Sequence, residues 1–174
     1  MEHLLDEMSL AKPATLHRAP VKGAWTPLQT LHHLQLAERG SVDYLLYKFG
    51  QGGTPPRLSP KQRVTGKFVA LALMSPFKFS APEQTNSSKK GPSSKLDLEQ
   101  TAYAIRGTRA ELENFLRTLS DDWHRGAAYR HPTGGRMSLK DMLRFFRAHQ
   151  VRHGKQIKRA LAQNARYYRR QEAG

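Results

Sequence analysis

The chain has 174 residues, a formal net charge of +15, 38% hydrophobic residues and no cysteine. That length can bury a core of ordinary size in one domain spanning 1–174, and no apolar run approaches the roughly 20 residues of a membrane span. Without cysteine there are no disulfides, no thiolate metal sites and no cysteine nucleophile, which fits a cytoplasmic protein.

The N-terminal stretch MEHLLDEMSLAK is acidic and amphipathic and predicts a short helix over 2–11, stopping before Pro13. It lacks the basic region followed by an apolar one that marks a secretion signal. Residues 12–24, with Pro13, Pro20 and Gly23, read as a loop. Thr26-Pro27 then opens a strong helix: Thr26 is a cap, Pro27 suits the first helical position, and Gln29 completes a capping box. The helix should run to Phe49, before Gly50, Gly52 and Gly53. Leu28, Leu31, Leu34, Val42, Leu45 and Phe49 form one apolar face. Glu38 interrupts that face, as a functional carboxylate or as a rim residue. Ala37, Gly40, Tyr44 and Tyr47 make a second, partly apolar side, as expected of a helix central in a bundle. His33 lies on the second side and His32 between the two. For either histidine alone, a surface or hydrogen-bonded core role is the plainer reading.

Gly50 to Leu58 is a Gly/Pro loop. Ser59-Pro60 starts another helix, with Val64, Phe68, Leu71 and Met74 as its apolar positions. Phe77 to Lys95 is a polar connection, unusually long for a compact domain and expected to cross the outside of the fold. Asp97 and Gln100 open a further helix to Leu119, with Leu98, Ala102, Ile105, Leu112, Leu116 and Leu119 as its core stripe. Asp121 to Met137 reads as a loop through Trp123, His131-Pro132 and Gly134-Gly135. No strand signal of comparable quality and no internal repeat is present. The class is all-α, most simply a helical bundle.

Ser138 to Gln163 predicts the last helix, with Ser138 as N-cap and Asp141 three residues later. At about 100° per residue, Met142, Phe146, His149, His153, Ile157 and Ala160 share one stripe. Arg144, Arg147, Lys155, Lys158 and Arg159 lie opposite. Two histidines one turn apart on an apolar face are harder to explain as core residues than one, because each needs its own polar partner. Residues at i and i+4 are neighbours on a helix, so both imidazoles can reach one metal ion. A third ligand has to come from elsewhere. Residues 165–174 read as a basic, frayed tail.

Charge is uneven: net +6 over 58–95 and +9 over 136–174, against +1 over 1–57 and −1 over 96–135. Such a surface can meet nucleic acid or other polyanions. No groove-reading motif accompanies it, so a solvated basic face is the plainer reading.

Three spaced motifs line up: Trp25-Thr-Pro with His33-Leu34, His131-Pro-Thr-Gly134-Gly, and His149-Gln-Val-Arg-His153. Together they resemble the DinB-like superfamily of four-helix bundle proteins, which includes bacillithiol-dependent transferases. The resemblance covers about Trp25 to Leu161. It implies an up-down-down-up bundle with a long crossover, here residues 50–95, carrying an extra short helix. It implies that His33, His149 and His153 bind one divalent metal ion, with His32 as the fallback if the register slips by one. His131 would shape the loop or the rim of the site. The family's first helix is usually long, whereas about ten residues precede Pro13 here; the helix at 60–74 or a second subunit is expected to cover the face left open.

Three imidazoles leave a coordination position free, as in catalytic rather than structural sites; imidazole ligation suits Zn²⁺, Ni²⁺, Fe²⁺ or Cu²⁺ without choosing among them, and Zn²⁺, Ni²⁺ or Fe²⁺ is the expected ion. The chain lacks H-E-x-x-H, since Gln150 stands where the glutamate would be, so a metalloprotease is rejected. The resemblance implies transfer of a low-molecular-weight thiol to an electrophile, with a small-molecule thiol or electrophile as partner, no membrane, and a homodimer as the assembly. Two other classes stay open: a metal-binding bundle without catalysis, and a basic nucleic-acid-associated protein.

Overall fold

The computed structural model describes residues 1–74, 95–131 and 134–173. They form seven helices and one hairpin: α1 (Glu2–Ser9), α2 (Pro13–His17), α3 (Pro27–Gly50), α4 (Pro60–Met74), α5 (Leu98–Thr118), α6 (Asp121–Arg125), β1 (Tyr129–His131), β2 (Gly135–Met137) and α7 (Leu139–Glu172). The chain is thus mostly helical, as the periodicity predicts. Among the described residues, no helix is long and apolar enough to cross a membrane. The connection expected over 77–95 lies outside the described residues apart from Lys95, as does Pro132 of the histidine–proline motif.

Local chemistry sets the helix starts. The Thr26 side chain accepts from Gln29 N–H at 3.1 Å and the Gln29 side chain accepts from Thr26 N–H at 3.0 Å, a complete capping box with Pro27 at the first position. Asp97 caps α5 through Gln100 N–H at 2.8 Å, and Ser138 caps α7 through Asp141 N–H at 3.1 Å. Each cap satisfies an amide that the helix leaves without a partner.

α3 packs against both α5 and α7, while α4 lies along α7 and β2. The buried side chains fall into two apolar clusters. One gathers Val42 and Leu45 of α3, Leu112 and Phe115 of α5, and Met142, Phe145 and Phe146 of α7, with Trp123 and Tyr129. The other gathers Leu28 and Leu31 of α3, Ile105 of α5 and Ile157 of α7, with Leu4, Leu5, Met8 and Leu16. Among and between them, α3, α5 and α7 also bury polar residues: Thr30, His33, Glu38, Thr108 and His149.

Four sequence expectations are corrected. The 12–24 loop contains α2, which buries Thr15 and Leu16. The 121–137 loop contains α6 and a hairpin whose register pairs Tyr129 with Met137 and His131 with Gly135. Gly135 takes φ +71°, the left-handed conformation glycine accepts most readily. Three-residue strands are too short to show a period-2 pattern, so this segment reads as a loop. Val64 and Phe68 are exposed rather than core, because α4 instead presents Gly66 to α7, where a Cβ would lie 3.2 Å from Asp141 Oδ2. Among the described residues, α1 and α2 fill the second cluster, where a short first helix would leave a face open.

The basic tail is helical to Glu172 rather than frayed. It is held from the N-terminal side: Asn164 Nδ2 donates to the carbonyls of Thr15 and Arg18, both at 2.8 Å. Lys12 pairs with Glu172 at 2.7 Å, and the Arg18 guanidinium stacks 3.5 Å from the Tyr167 ring centre. These partners are about 150 residues away in sequence, so periodicity within the last helix gives no sign of them.

Candidate metal centre

His33, on α3, and His149 and His153, on α7, converge. One ring nitrogen from each lies within 4.8 Å of the others. His33 Nε2 and His149 Nε2 are 3.1 Å apart, and the ring centres are separated by 5.0 Å (His33–His149), 4.8 Å (His33–His153) and 4.6 Å (His149–His153). Two nitrogens bound tetrahedrally to Zn²⁺ at about 2.05 Å lie about 3.3 Å apart. The His33–His149 pair is already at that spacing, and His153 has only to close a gap of side-chain scale.

The protonation states also suit a ligand set. Burial, then the neighbouring His153 and His33, hold His149 far below the ordinary histidine range, at about 2. Burial and His33 push His153 down to about 4, against the opposing hydrogen bond with Gln156. Both imidazoles are therefore neutral near pH 7, the form a metal requires. No carboxylate joins the cluster among the described residues.

The surroundings orient the rings. Phe145 stacks on His149, with ring centres 5.2 Å apart and 17° between planes, and Trp25 leans on His33 at 5.0 Å. His153 Nδ1 meets Gln156 Oε1 at 2.9 Å; Gln156 Nε2 reaches Thr30 Oγ1 at 3.5 Å, and that hydroxyl donates to the Thr26 carbonyl at 3.0 Å. An amide oxygen only accepts, so in this arrangement Nδ1 of His153 carries the proton and its Nε2 lone pair is left for the site.

The other candidates fall outside the ligand set. His32 is half-buried on α3 and is not in the cluster. His131 accepts the Gly134 N–H at Nδ1 over 3.0 Å and packs edge-on to Phe145 at 4.5 Å, so it shapes the hairpin next to the site. Burial lowers its pKa. Glu38 is 3% exposed and clamped by Arg109, with Nε to Oε2 at 2.8 Å and Nη2 to Oε1 at 2.6 Å. Its oxygens are engaged, and it is no free base. Arg109 also donates to Gln150 Oε1 at 3.3 Å, and the hydrogen bond to Glu38 raises its pKa.

Sequence reasoning misses Arg109, Gln156 and Thr30. Arg109 lies off the apolar stripe of its helix, with nothing to mark it from other arginines. Gln156 lies outside the apolar stripe. Thr30, one turn before His33, carries no signal beyond helical spacing.

Comparison with curated proteins and with solved structures gives no match. A family model described as the DinB superfamily matches residues 1–157, a span that contains α3, α5 and every histidine of the cluster. With the helical architecture and the three converging histidines, this match settles the family: the chain belongs to the DinB superfamily.

Proposed function

We propose that this protein is a metal-dependent enzyme that transfers a low-molecular-weight thiol to an electrophile. His33, His149 and His153 would hold one divalent ion, Zn²⁺, Ni²⁺ or Fe²⁺. The observation that carries the reading is the convergence of three imidazole nitrogens from α3 and α7 with no carboxylate among them. Three ligands leave room for a fourth, and a divalent ion there supplies the charge that lowers the pKa of a bound thiol. In the transfer, the sulfur forms a bond to the electrophilic carbon, the leaving group departs with its bonding pair, and the thiol proton passes to solvent. The protein's own part is to hold and orient: Phe145 and Trp25 wall the rings, and Gln156 fixes the tautomer of His153.

The same reading takes α1–α2, α3, α5 and α7 as an up-down-down-up four-helix bundle in one domain, with α4 in the crossover. It also takes the protein to be cytoplasmic and a homodimer. The basic face of α7 is read as a solvated surface. Duplex DNA binding that weakens steeply with salt would replace that reading with a nucleic-acid one.

Metal analysis of wild type and His149→Ala tests the site. Near-stoichiometric metal in wild type, lost in the variant, is expected. If wild type purified without chelator takes up none of Zn²⁺, Ni²⁺ or Fe²⁺, the site is not a metal centre. Thiol consumption with an alkylating electrophile, using cysteine, glutathione and bacillithiol as donors, then tests the chemistry. The chain has no cysteine, so it adds no thiol background of its own. A metal-loaded protein that consumes none of the three leaves the non-catalytic bundle as the better account.

A further inference from the structure

Glu38 occupies a face of α3 that is otherwise apolar, between Leu34 and Val42, which are 1% and 0% exposed. Burying its charge is costly, and well-packed apolar residues in place of such a pair are often as stabilising or more so. Stability alone therefore does not account for the pair. Its geometry is directional. The two-point grip on Glu38 comes from α5, and the same guanidinium reaches Gln150 on α7. One side chain thus ties three helices together, at the residue that follows His149. On the other side of His33 along α3, Thr30 meets Gln156 of α7.

On α3, His33 lies between Thr30, which meets Gln156, and Glu38, which Arg109 links to Gln150. On α7, His153 lies between Gln150 and Gln156, and His149 directly precedes Gln150. A slide of one residue along a helix is about 1.5 Å. With the rotation that a register change brings, such a slide would move His33 relative to both His149 and His153, and leucine faces alone resist it less firmly than a planar fork does.

We propose that Arg109, acting through Glu38 and Gln150, is a positioning residue for the histidine site. It fixes the register of α3 against α7 at which His33 meets His149 and His153. The proposal rests on the metal-centre reading above.

The test compares wild type with Glu38→Leu/Arg109→Met and with Arg109→Lys, the latter keeping the charge but losing the fork. Three quantities are measured: melting temperature, Zn²⁺ affinity by competition with a chromophoric chelator, and hydrogen exchange of the metal-free protein. The double variant should melt at or above the wild-type temperature, yet bind Zn²⁺ about tenfold or more weakly, the scale of an outer-sphere partner. Its amides over 30–41 should exchange faster. Arg109→Lys should lose affinity in the same direction and carries the comparison if the double variant does not fold. Affinity within about threefold of wild type in the folded variants overturns the proposal, being well short of that scale. If wild type itself binds no metal, the metal-centre reading fails on its own. The exchange measurement then decides, and unchanged protection over 30–41 and 146–156 overturns the positioning role.

Discussion

His33 and His149 face each other Nε2 to Nε2 at 3.1 Å, from positions 116 residues apart in the sequence. Without a metal, one of the two nitrogens carries the proton that the other accepts. A divalent cation would take that proton's place and would bind the folded chain, where the three rings converge. Zn²⁺ at 100 times its dissociation constant should therefore stabilise the protein by about 2.7 kcal/mol. Thermal melts with and without Zn²⁺ check this. The increment should vanish in His149→Ala and persist in His32→Ala, since His32 is outside the cluster.

The metal-free protein should lose stability on acidification below neutral pH. Folding holds His149 at about 2 and His153 at about 4, whereas in the unfolded chain each titrates near 6.5. Between those values the unfolded state binds more protons, so acid favours unfolding. The contribution is fully present above pH ~6.5 and drains away as pH falls toward the folded values. Urea titrations from pH 7.5 to 4.5 should show a shallower pH slope in His149→Ala than in wild type. Parallel slopes would mean that the histidine does not titrate differently on folding.

Gln156→Leu should weaken Zn²⁺ binding by about tenfold, because His153 then loses the acceptor that keeps its proton on Nδ1. Gln156→Glu restores an acceptor and should bind at least as tightly as wild type. Nitrogen chemical shifts of His153 in the metal-free protein read the tautomer directly. A proton on Nε2 in wild type contradicts the assignment.

Arg109→Ala leaves the Glu38 carboxylate buried without its partner. Breaking a buried pair from one side costs roughly 3–5 kcal/mol. Arg109 is 35% exposed, so water reaching the vacated space should reduce the loss to about 2–3 kcal/mol. Glu38→Gln should cost less, since an amide tolerates burial better than a charge. A loss below about 0.5 kcal/mol for Arg109→Ala would place the pair with ordinary surface bridges.

Asn164 is 1% exposed and spends both amide hydrogens on main-chain carbonyls, those of Thr15 in α2 and of Arg18 just after it. Asn164→Ala should cost about 2 kcal/mol, the scale of leaving buried acceptors without donors. It should also make residues 10–24 the first site of proteolysis. Cleavage at an unchanged rate there would show that the segment is held by its apolar contacts alone.

The sequence is most legible where one helix suffices to tell the story. The caps at Thr26, Asp97 and Ser138 and the stripe of Met142, Phe146, His149 and Ile157 follow from spacing, and the structure has them. His33 is legible only through resemblance, because its own helix offers two adjacent histidines and spacing does not choose between them. What stays hidden depends on partners distant in sequence. Arg109 becomes distinctive only when Glu38 lies beside it, and the helical tail only when Thr15 and Arg18 offer carbonyls to Asn164. The exposure of Val64 and Phe68 is hidden for a related reason: a small Gly66 wins the contact with α7 over two larger apolar residues.

The histidines lie where two oily compartments meet along the long rods of α3, α5 and α7. Without an ion, the histidine level is held by ring stacking and by the hydrogen bonds of Gln156 and Arg109 as well as by excluded water. An ion gripping α3 and α7 there would act as a rivet. It should make the two compartments melt as one, so that metal loading sharpens the unfolding transition as well as raising its midpoint.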